Sequence, residues 1–188
     1  MKEIEVLVEL FEDKEIALKK LSKTSKEIVK HTKDIYYFHE QNEKLKPKGN
    51  SFPKECFRIR SKQGKYFLAY KIDRFDKKGV WVYSDEYETE IKEFETTNKI
   101  ISLLGYTKLV ELNNTKHTFE TKEFEIVLEE VKGLGVFLEI ESKETTKNPL
   151  IVKKKINDFI KSLNIKTSKE LNAGKPELML KRQLKTKK

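Results

Sequence analysis

Cysteine is almost missing from this chain of 188 residues, which contains only Cys56. A single cysteine excludes an intramolecular disulfide framework and a zinc site built from several cysteines, and it is typical of a reducing compartment. Long apolar runs are also missing. None approaches the ~18 residues that a membrane span needs, and the first residues lack the apolar region of a signal peptide. We therefore expect a cytoplasmic protein that does not enter a membrane.

Arginine is scarce, although basic residues are not. Of the 40 basic residues only four are arginine, namely Arg58, Arg60, Arg74 and Arg182. A chain with this bias towards lysine is expected to keep arginine where its planar, forked guanidinium is hard to replace. Because Arg58 and Arg60 share one face of a predicted strand, they are the first candidates for a binding site.

The positive charge is concentrated at one end of the chain. Residues 143–188 contain 14 basic and 4 acidic side chains, whereas the first 142 residues contain 26 basic and 27 acidic ones. The nearly neutral body argues against a domain that binds nucleic acid over its whole surface. RNA binding by the basic C-terminal segment is an alternative, but residues 166–188 lack an aromatic side chain on which a base stacks. A nucleic-acid partner is therefore not expected.

Apolar and charged residues alternate in many short segments, which predicts strands. The predicted strands include 3–10, 56–61, 66–72, 80–83, 86–90 and 136–141. The predicted helices are 13–21, with Ile16 and Leu21 facing inward, 94–104, and one that begins at Asn148. Many strands without regular alternation with helices indicate an α+β protein with an antiparallel sheet. We predict one domain over residues 1–165 and a C-terminal extension with a basic tail over 166–188.

Several predicted strands carry charge on one face, which suits a barrel with a polar interior. The acidic groups are Glu3 and Glu5, Glu86 with Glu88 and Glu90, and Glu139 with Glu141. Acidic residues two positions apart repel each other unless a cation or a basic neighbour offsets their charge. Carboxylates bind hard divalent cations, and arginine forks bind phosphate oxygens. The set is typical of a site for a metal-chelated polyphosphate, and the alternative is a set of solvated surface charges.

These segments, in order along the chain, resemble the motifs of the CYTH domain, the family of class IV adenylate cyclases, thiamine triphosphatase and inorganic triphosphatases. They are Glu3-x-Glu5, Asp34-x-Tyr36-Tyr37-Phe38, Arg58-x-Arg60, Leu68-Ala69-Tyr70-Lys71, Glu86-x-Glu88 and Val131-x-Gly133-Leu134-Gly135-x-Phe137-x-Glu139-Ile140-Glu141. The resemblance covers nearly the full chain. It implies a closed eight-stranded antiparallel β-barrel, the triphosphate tunnel, with helices packed outside, and Mg²⁺ or Mn²⁺ as the cofactor.

The resemblance also implies a role for each matching position. Phosphate binding falls on Arg58, Arg60, Lys71 and Lys116. Metal binding falls on Glu3, Glu5, Glu139 and Glu141, and further acidic tunnel positions are Glu86, Glu88 and Glu129. No catalytic residue is assigned.

Some cations of the family pattern are missing. Leu7 and Asn114 stand where the family has lysine, and Ser84 stands where it has arginine. Lys175 stands where a C-terminal tyrosine is common. Since a charged contact to phosphate is worth roughly 1.5–3 kcal/mol, the missing cations predict weaker substrate binding.

The resemblance implies a metal-dependent enzyme that acts on ATP, thiamine triphosphate or tripolyphosphate. Attack by the 3′-hydroxyl of ATP produces cyclic AMP and pyrophosphate, as in class IV adenylate cyclases, whereas attack by water produces a diphosphate and phosphate. The alternative is a barrel that binds a nucleotide or polyphosphate without turnover. The expected partner is therefore a triphosphate-bearing small molecule, and a homodimer is left open.

Overall fold

A computed structural model of the chain describes residues 2–49, 52–53, 55–144 and 148–186. Nine strands and four helices lie within these ranges. The strands are β1 (Lys2–Glu3), β2 (Glu5–Glu9), β3 (Ile28–Phe38), β4 (Glu55–Lys62), β5 (Lys65–Phe75), β6 (Trp81–Ile91), β7 (Thr107–Glu120), β8 (Phe124–Val131) and β9 (Gly135–Ser142). The helices are α1 (Lys14–Leu21), α2 (Phe94–Leu103), α3 (Pro149–Ser162) and α4 (Lys175–Thr186).

All nine strands join one antiparallel sheet in the order β1-β6-β5-β4-β3-β7-β8-β9-β2. The edge strands β1 and β2 are consecutive in the chain and are separated only by Ile4, whose carbonyl oxygen accepts a hydrogen bond from the amide of Ser142 at 2.9 Å. The sheet therefore curls into a nearly closed barrel. The predicted α+β class and antiparallel barrel are confirmed, but the strands number nine rather than eight, because Ile4 interrupts the first one.

Helices α1, α2 and α3 pack against the outer surface of the barrel. One apolar cluster joins α1 and α3 to β2, β8 and β9, with Leu21 and Ile156 at its centre. Another joins α2 to β3 and β4 through Ile101, Tyr37 and Ile59. Side chains alternate across a strand, so the neighbours of Ile59 on β4 point to the opposite side, into the barrel.

A third apolar cluster lies at one end of the barrel interior and includes Met179 of α4. Leu7 belongs to this cluster and continues the inward-facing row of β2. The segment before α4 is bonded along β2, where the amides of Ser168 and Leu171 donate to the carbonyl oxygens of Glu9 and Leu7 at 2.9 and 2.8 Å. The C-terminal segment therefore covers this end of the barrel.

Helix α1 begins as predicted but turns a different face inward. The Asp13 carboxylate caps it by accepting hydrogen bonds from the amides of Glu15 and Ile16. Ile16 is nevertheless 52% exposed, and the buried residues are Ala17 and Leu21. The expected inward position of Ile16 is wrong because residues four apart share a helix face, whereas residues five apart do not.

The predicted runs 80–83 and 86–90 are not separate strands. All of their residues except Val80 belong to β6, because β5 pairs with it continuously from Tyr66–Ile91 to Arg74–Tyr83. Helix α3 begins as predicted, with Asn148 accepting a hydrogen bond from the amide of Leu150. Among the described residues, no helix is both long and apolar enough to cross a membrane.

Candidate active site in the barrel cavity

A cavity of about 240 Å³ lies inside the barrel, and all nine strands contribute to its lining. The basic side chains of the lining are Lys30, Arg58, Arg60, Lys62, Lys71, Lys116 and Lys175. The acidic ones are Glu3, Glu5, Asp34, Asp73, Glu86, Glu125, Glu129, Glu139, Glu141 and Glu177. With every group ionised, the acidic charges exceed the basic ones by three. Additional cations are therefore needed before the cavity attracts a polyanion.

Arg58 is a buried cation with two side-chain partners. Its Nη2 donates to Oε1 of Glu86 at 2.7 Å, and its Nη1 donates to the Tyr36 hydroxyl at 3.3 Å. The buried Nε of Arg58 has no hydrogen-bond acceptor within the described parts of the chain. An unsatisfied buried donor costs about 1–3 kcal/mol, so Arg58 is suited to bind one more anionic oxygen.

Arg60 is held by Asp34, which is its direct partner on the neighbouring strand β3. Nε and Nη2 of Arg60 donate to the two carboxylate oxygens at 2.7 and 3.0 Å. Burial tends to raise the pKa of Asp34, but the charge and hydrogen bonds of Arg60 outweigh it and hold that pKa well below its usual range. Asp34 belongs to one of the segments that resemble the family motifs, but the sequence predicts no role for it in the site.

The Lys71 ammonium group lies among carboxylates of the strands β1, β2 and β6. Its Nζ is 2.7 Å from Oε2 of Glu3, 3.2 Å from Oε1 of Glu5 and 4.0 Å from Oε2 of Glu86. Burial raises the pKa of Glu3 to about 7, although Lys71 opposes the shift. At Glu86, burial acts in the same direction, but the charge of Arg58 outweighs it and lowers the pKa to about 2.

Another lysine of the cavity, Lys175, comes from a helix and not from a barrel strand. Lys175, the first residue of α4, donates from its Nζ to Oε2 of Glu139 at 2.5 Å and to the carboxylate of Glu129. Lys116 lies farther away, with its Nζ 3.6 Å from Oε1 of Glu129. Burial tends to raise the pKa of Glu139, but Lys175 outweighs it and holds the pKa well below its usual range.

Glu141 is a carboxylate that lies close to other carboxylates. It lies directly opposite Glu5 on the adjacent strand. Burial and the negative charges of Glu3 and Glu5 raise the pKa of Glu141 to about 8. The cations already present therefore do not balance the negative charge at this side of the cavity.

We call the carboxylates of Glu3, Glu5, Glu139 and Glu141 the acidic wall of the cavity. The acidic wall fits a hard divalent cation, because carboxylate oxygens are the donors that Mg²⁺ and Mn²⁺ prefer. In the described ranges, no three His, Cys, Asp or Glu side chains are already grouped as a metal centre. Lysine ammonium groups instead pair with Glu3, Glu5 and Glu139. A cation entering here would relieve the crowding at Glu141 and compete with those lysines.

Ten of the eleven positions implied by the family resemblance line the cavity: Glu3, Glu5, Arg58, Arg60, Lys71, Glu86, Lys116, Glu129, Glu139 and Glu141. Glu88 does not. It is exposed and lies opposite Ala69, beyond Glu86 along β6. The shared face predicted for Glu86 and Glu88 is therefore not a shared cavity wall, because the strand continues past the cavity.

Of the three positions with missing family cations, only Leu7 lines the cavity. The Ser84 hydroxyl donates to Oδ1 of Asp73 at 2.7 Å, and Nδ2 of Asn114 donates to Oγ1 of Thr32 at 3.3 Å. Lys175 is predicted from the sequence only as a departure from the family pattern, whereas in the structure it is a cavity cation. No local pattern shows that the start of α4 reaches the barrel interior, since that placement depends on the path of residues 166–174.

Comparison with known proteins places this geometry in a family. The model of the CYTH domain matches residues 1–173. A protein of Methanocaldococcus jannaschii named as a candidate adenylate cyclase is 27% identical over 174 residues, which cover 88% of this chain and 91% of the relative.

Solved structures share the same fold. A protein of Pyrococcus horikoshii has a TM-score of 0.76 and 28% identity, with 95% of this chain and 99% of the other covered. A Hippeastrum protein, described as a candidate adenylyl cyclase with a dominant triphosphatase activity, has a TM-score of 0.63 and 18% identity over 96% of this chain and 95% of its own. At that identity the likeness concerns the fold alone. The family match over most of the sequence shows that the chain belongs to the CYTH family.

Proposed function

We propose that the protein is a divalent-metal-dependent enzyme that acts on a triphosphate held in the barrel cavity. The proposal depends on one observation, the convergence of buried arginine and lysine side chains with crowded carboxylates on a single cavity. The name of the Methanocaldococcus jannaschii relative, a candidate adenylate cyclase, supports the same substrate class.

The basic side chains are suited to the phosphate groups. Among the residues that the structure describes, the buried Nε of Arg58 has no acceptor, and Arg60 is fixed in orientation by its two bonds to Asp34. Lys71 and Lys116 add ammonium groups to the same lining. Preoriented cations stabilise the negative charge that develops during phosphoryl or nucleotidyl transfer, because they need little rearrangement at the moment of reaction.

The acidic wall would hold the metal through Glu3, Glu5, Glu139 and Glu141. A bound divalent cation neutralises phosphate charge and activates or orients the attacking oxygen. The excess of acidic over basic groups in the lining explains why a triphosphate needs such a cation to enter. We propose Mg²⁺ or Mn²⁺, since both accept carboxylate oxygens.

The identity of the attacking oxygen separates two reactions. The 3′-hydroxyl of ATP forms a bond to the α-phosphorus and releases pyrophosphate, which leaves cyclic AMP. Water instead attacks a phosphorus atom of the triphosphate and releases phosphate and a diphosphate. Both reactions use the same phosphate-binding side chains, so product analysis distinguishes them.

Purified protein with Mn²⁺ or Mg²⁺ is incubated with ATP, tripolyphosphate or thiamine triphosphate. Cyclic AMP and released phosphate are both measured, and a parallel reaction with a metal chelator serves as the control. We expect product from at least one substrate and none in the chelated reaction. Absence of turnover with all three substrates would show that the proposal is wrong, and metal-dependent binding without product would identify a binding protein instead.

A further inference from the structure

Leu7 leaves a neutral position in an otherwise charged part of the barrel lining. It follows Glu3 and Glu5 on the inward face and lies directly opposite Glu139 on β9. In the family pattern this position carries a lysine, which would face Glu139 across the two strands. Here the Leu7 side chain is 4% exposed and packs in the apolar cluster that includes Met179. Strand β2 therefore supplies no cation to Glu139.

Lys175 supplies a cation to the same carboxylate from another part of the chain. Its Nζ donates to Oε2 of Glu139 at 2.5 Å and also to Glu129, and only 11% of its side chain is exposed. Burying an ammonium group is costly unless carboxylates pair with it. A lysine at the first position of a helix is also disfavoured by the helix dipole. The local helix structure therefore does not favour a lysine at this position, whereas pairing with the carboxylates of the cavity does.

Leu7 and Lys175 are connected through the path of the C-terminal segment. The amide of Leu171 donates to the carbonyl oxygen of Leu7 at 2.8 Å, and Met179 packs in the same apolar cluster as Leu7. These contacts hold the start of α4 against the end of the barrel. An apolar side chain at position 7 therefore helps to seat the helix whose first residue brings the ammonium group to Glu139.

We propose that helix α4, and not strand β2, supplies the cation that faces Glu139, so that Lys175 is a phosphate-binding residue of the triphosphate site and Leu7 seats the helix that carries it. This inference rests on the proposed function, since it takes the cavity to be a triphosphate site. Lys175 lines the same cavity as the arginine pair. A metal ion bound to Glu139 would free the ammonium group of Lys175 to contact the phosphates.

The test uses four variants of the full chain and tripolyphosphate binding measured by calorimetry in Mn²⁺. Lys175→Met is expected to weaken binding by about tenfold or more, since a charged contact is lost. Lys175→Arg is expected to stay within about threefold of the parent protein, because the charge is kept. Leu7→Lys combined with Lys175→Met is expected to recover most of the lost affinity. Lys161→Met is the matched control, because Lys161 pairs with Asp158 on the exposed side of α3 and neither residue lines the cavity.

A second measurement needs no ligand. Lys175→Met leaves Glu129 and Glu139 without their nearest cation, so its thermal midpoint is expected to fall, and Leu7→Lys is expected to restore part of the loss. Unchanged binding by Lys175→Met, or a double variant that recovers neither affinity nor thermal midpoint, would overturn this assignment of Lys175. If the parent protein itself binds no tripolyphosphate, the proposed function fails. A recovered midpoint in the double variant would still support Lys175 as the cation that faces Glu139.

Discussion

Arg60 and Asp34 form a two-point ion pair across the interior faces of β4 and β3, with Nε and Nη2 of the guanidinium 2.7 and 3.0 Å from the two carboxylate oxygens. The Asp34 side chain is 2% exposed and that of Arg60 is 20% exposed. Two donors of the guanidinium fork are thus already bonded to a protein carboxylate. This pairing fixes the orientation in which the remaining N–H donors of Arg60 meet a ligand.

Arg60→Lys is expected to weaken tripolyphosphate binding by roughly 1–3 kcal/mol, because lysine keeps the charge but cannot make both bonds to Asp34. Calorimetry in Mn²⁺ measures this change. Arg74→Lys is the matched control, since Arg74 also pairs with an aspartate, Asp85, but is half exposed and does not line the cavity. Equal effects of the two substitutions on tripolyphosphate binding would show that Arg60 does not belong to the binding site.

Arg60→Ala is expected to destabilise the empty protein by about 3–5 kcal/mol, because a buried Asp34 is left without its partner. The sequence alone indicates the opposite sign, since Arg58 and Arg60 repel each other. Denaturant unfolding of the two proteins at neutral pH measures the difference. A variant as stable as the parent would show that the pair contributes nothing.

The stability contributed by Asp34 is expected to depend on pH. In the folded protein the pKa of Asp34 lies well below its ordinary value of 3.8, because the charge of Arg60 outweighs burial. As the pH falls through 3.8, Asp34 becomes protonated in the unfolded chain but stays ionised in the folded protein. The contribution of Asp34 to the free energy of unfolding is therefore complete above that pH and is lost progressively below it. The difference in free energy of unfolding between the parent and Asp34→Asn should therefore be largest near neutral pH and shrink in acid. A difference that is constant between pH 7 and pH 3 would contradict this assignment.

Glu141→Gln is expected to weaken Mn²⁺ binding by about tenfold or more while leaving the metal-free protein equally or more stable. The second part follows because Glu141 is crowded by other carboxylates and its charge is opposed by burial. Mn²⁺ titration by calorimetry and thermal unfolding without metal measure the two effects. Glu88→Gln, at an exposed carboxylate outside the lining, should change neither.

Met179→Ala is expected to lower the free energy of unfolding by about 2–5 kcal/mol, since the side chain is 8% exposed in the cluster at the end of the barrel. Leu103→Ala is the control, because 74% of Leu103 is exposed and little apolar contact is lost. Equal stability of the two variants would show that the C-terminal segment does not pack as part of the barrel.

Alternation was sufficient to predict which residues face the cavity on most strands. Arg58 and Arg60 point inward because Ile59 between them packs against α2, and the rows of β2 and β9 follow the same rule. The pattern failed at Glu88, which alternates correctly with Glu86 but lies beyond the cavity along β6. A period of two gives the direction of a side chain and carries no information about its height in the barrel.

The sequence by itself determined the fold class, the inward rows and the family, because these depend on residue type and short-range spacing. Only the tertiary structure decided which charges meet. Asp34 and Arg60 are 26 positions apart, and Lys175 and Glu139 are 36 apart. Their pairing is set by strand order, by register and by the path of the chain after α3. A buried charge is stable only beside its partner, so these contacts, which no local pattern encodes, determine how the cavity balances its charge.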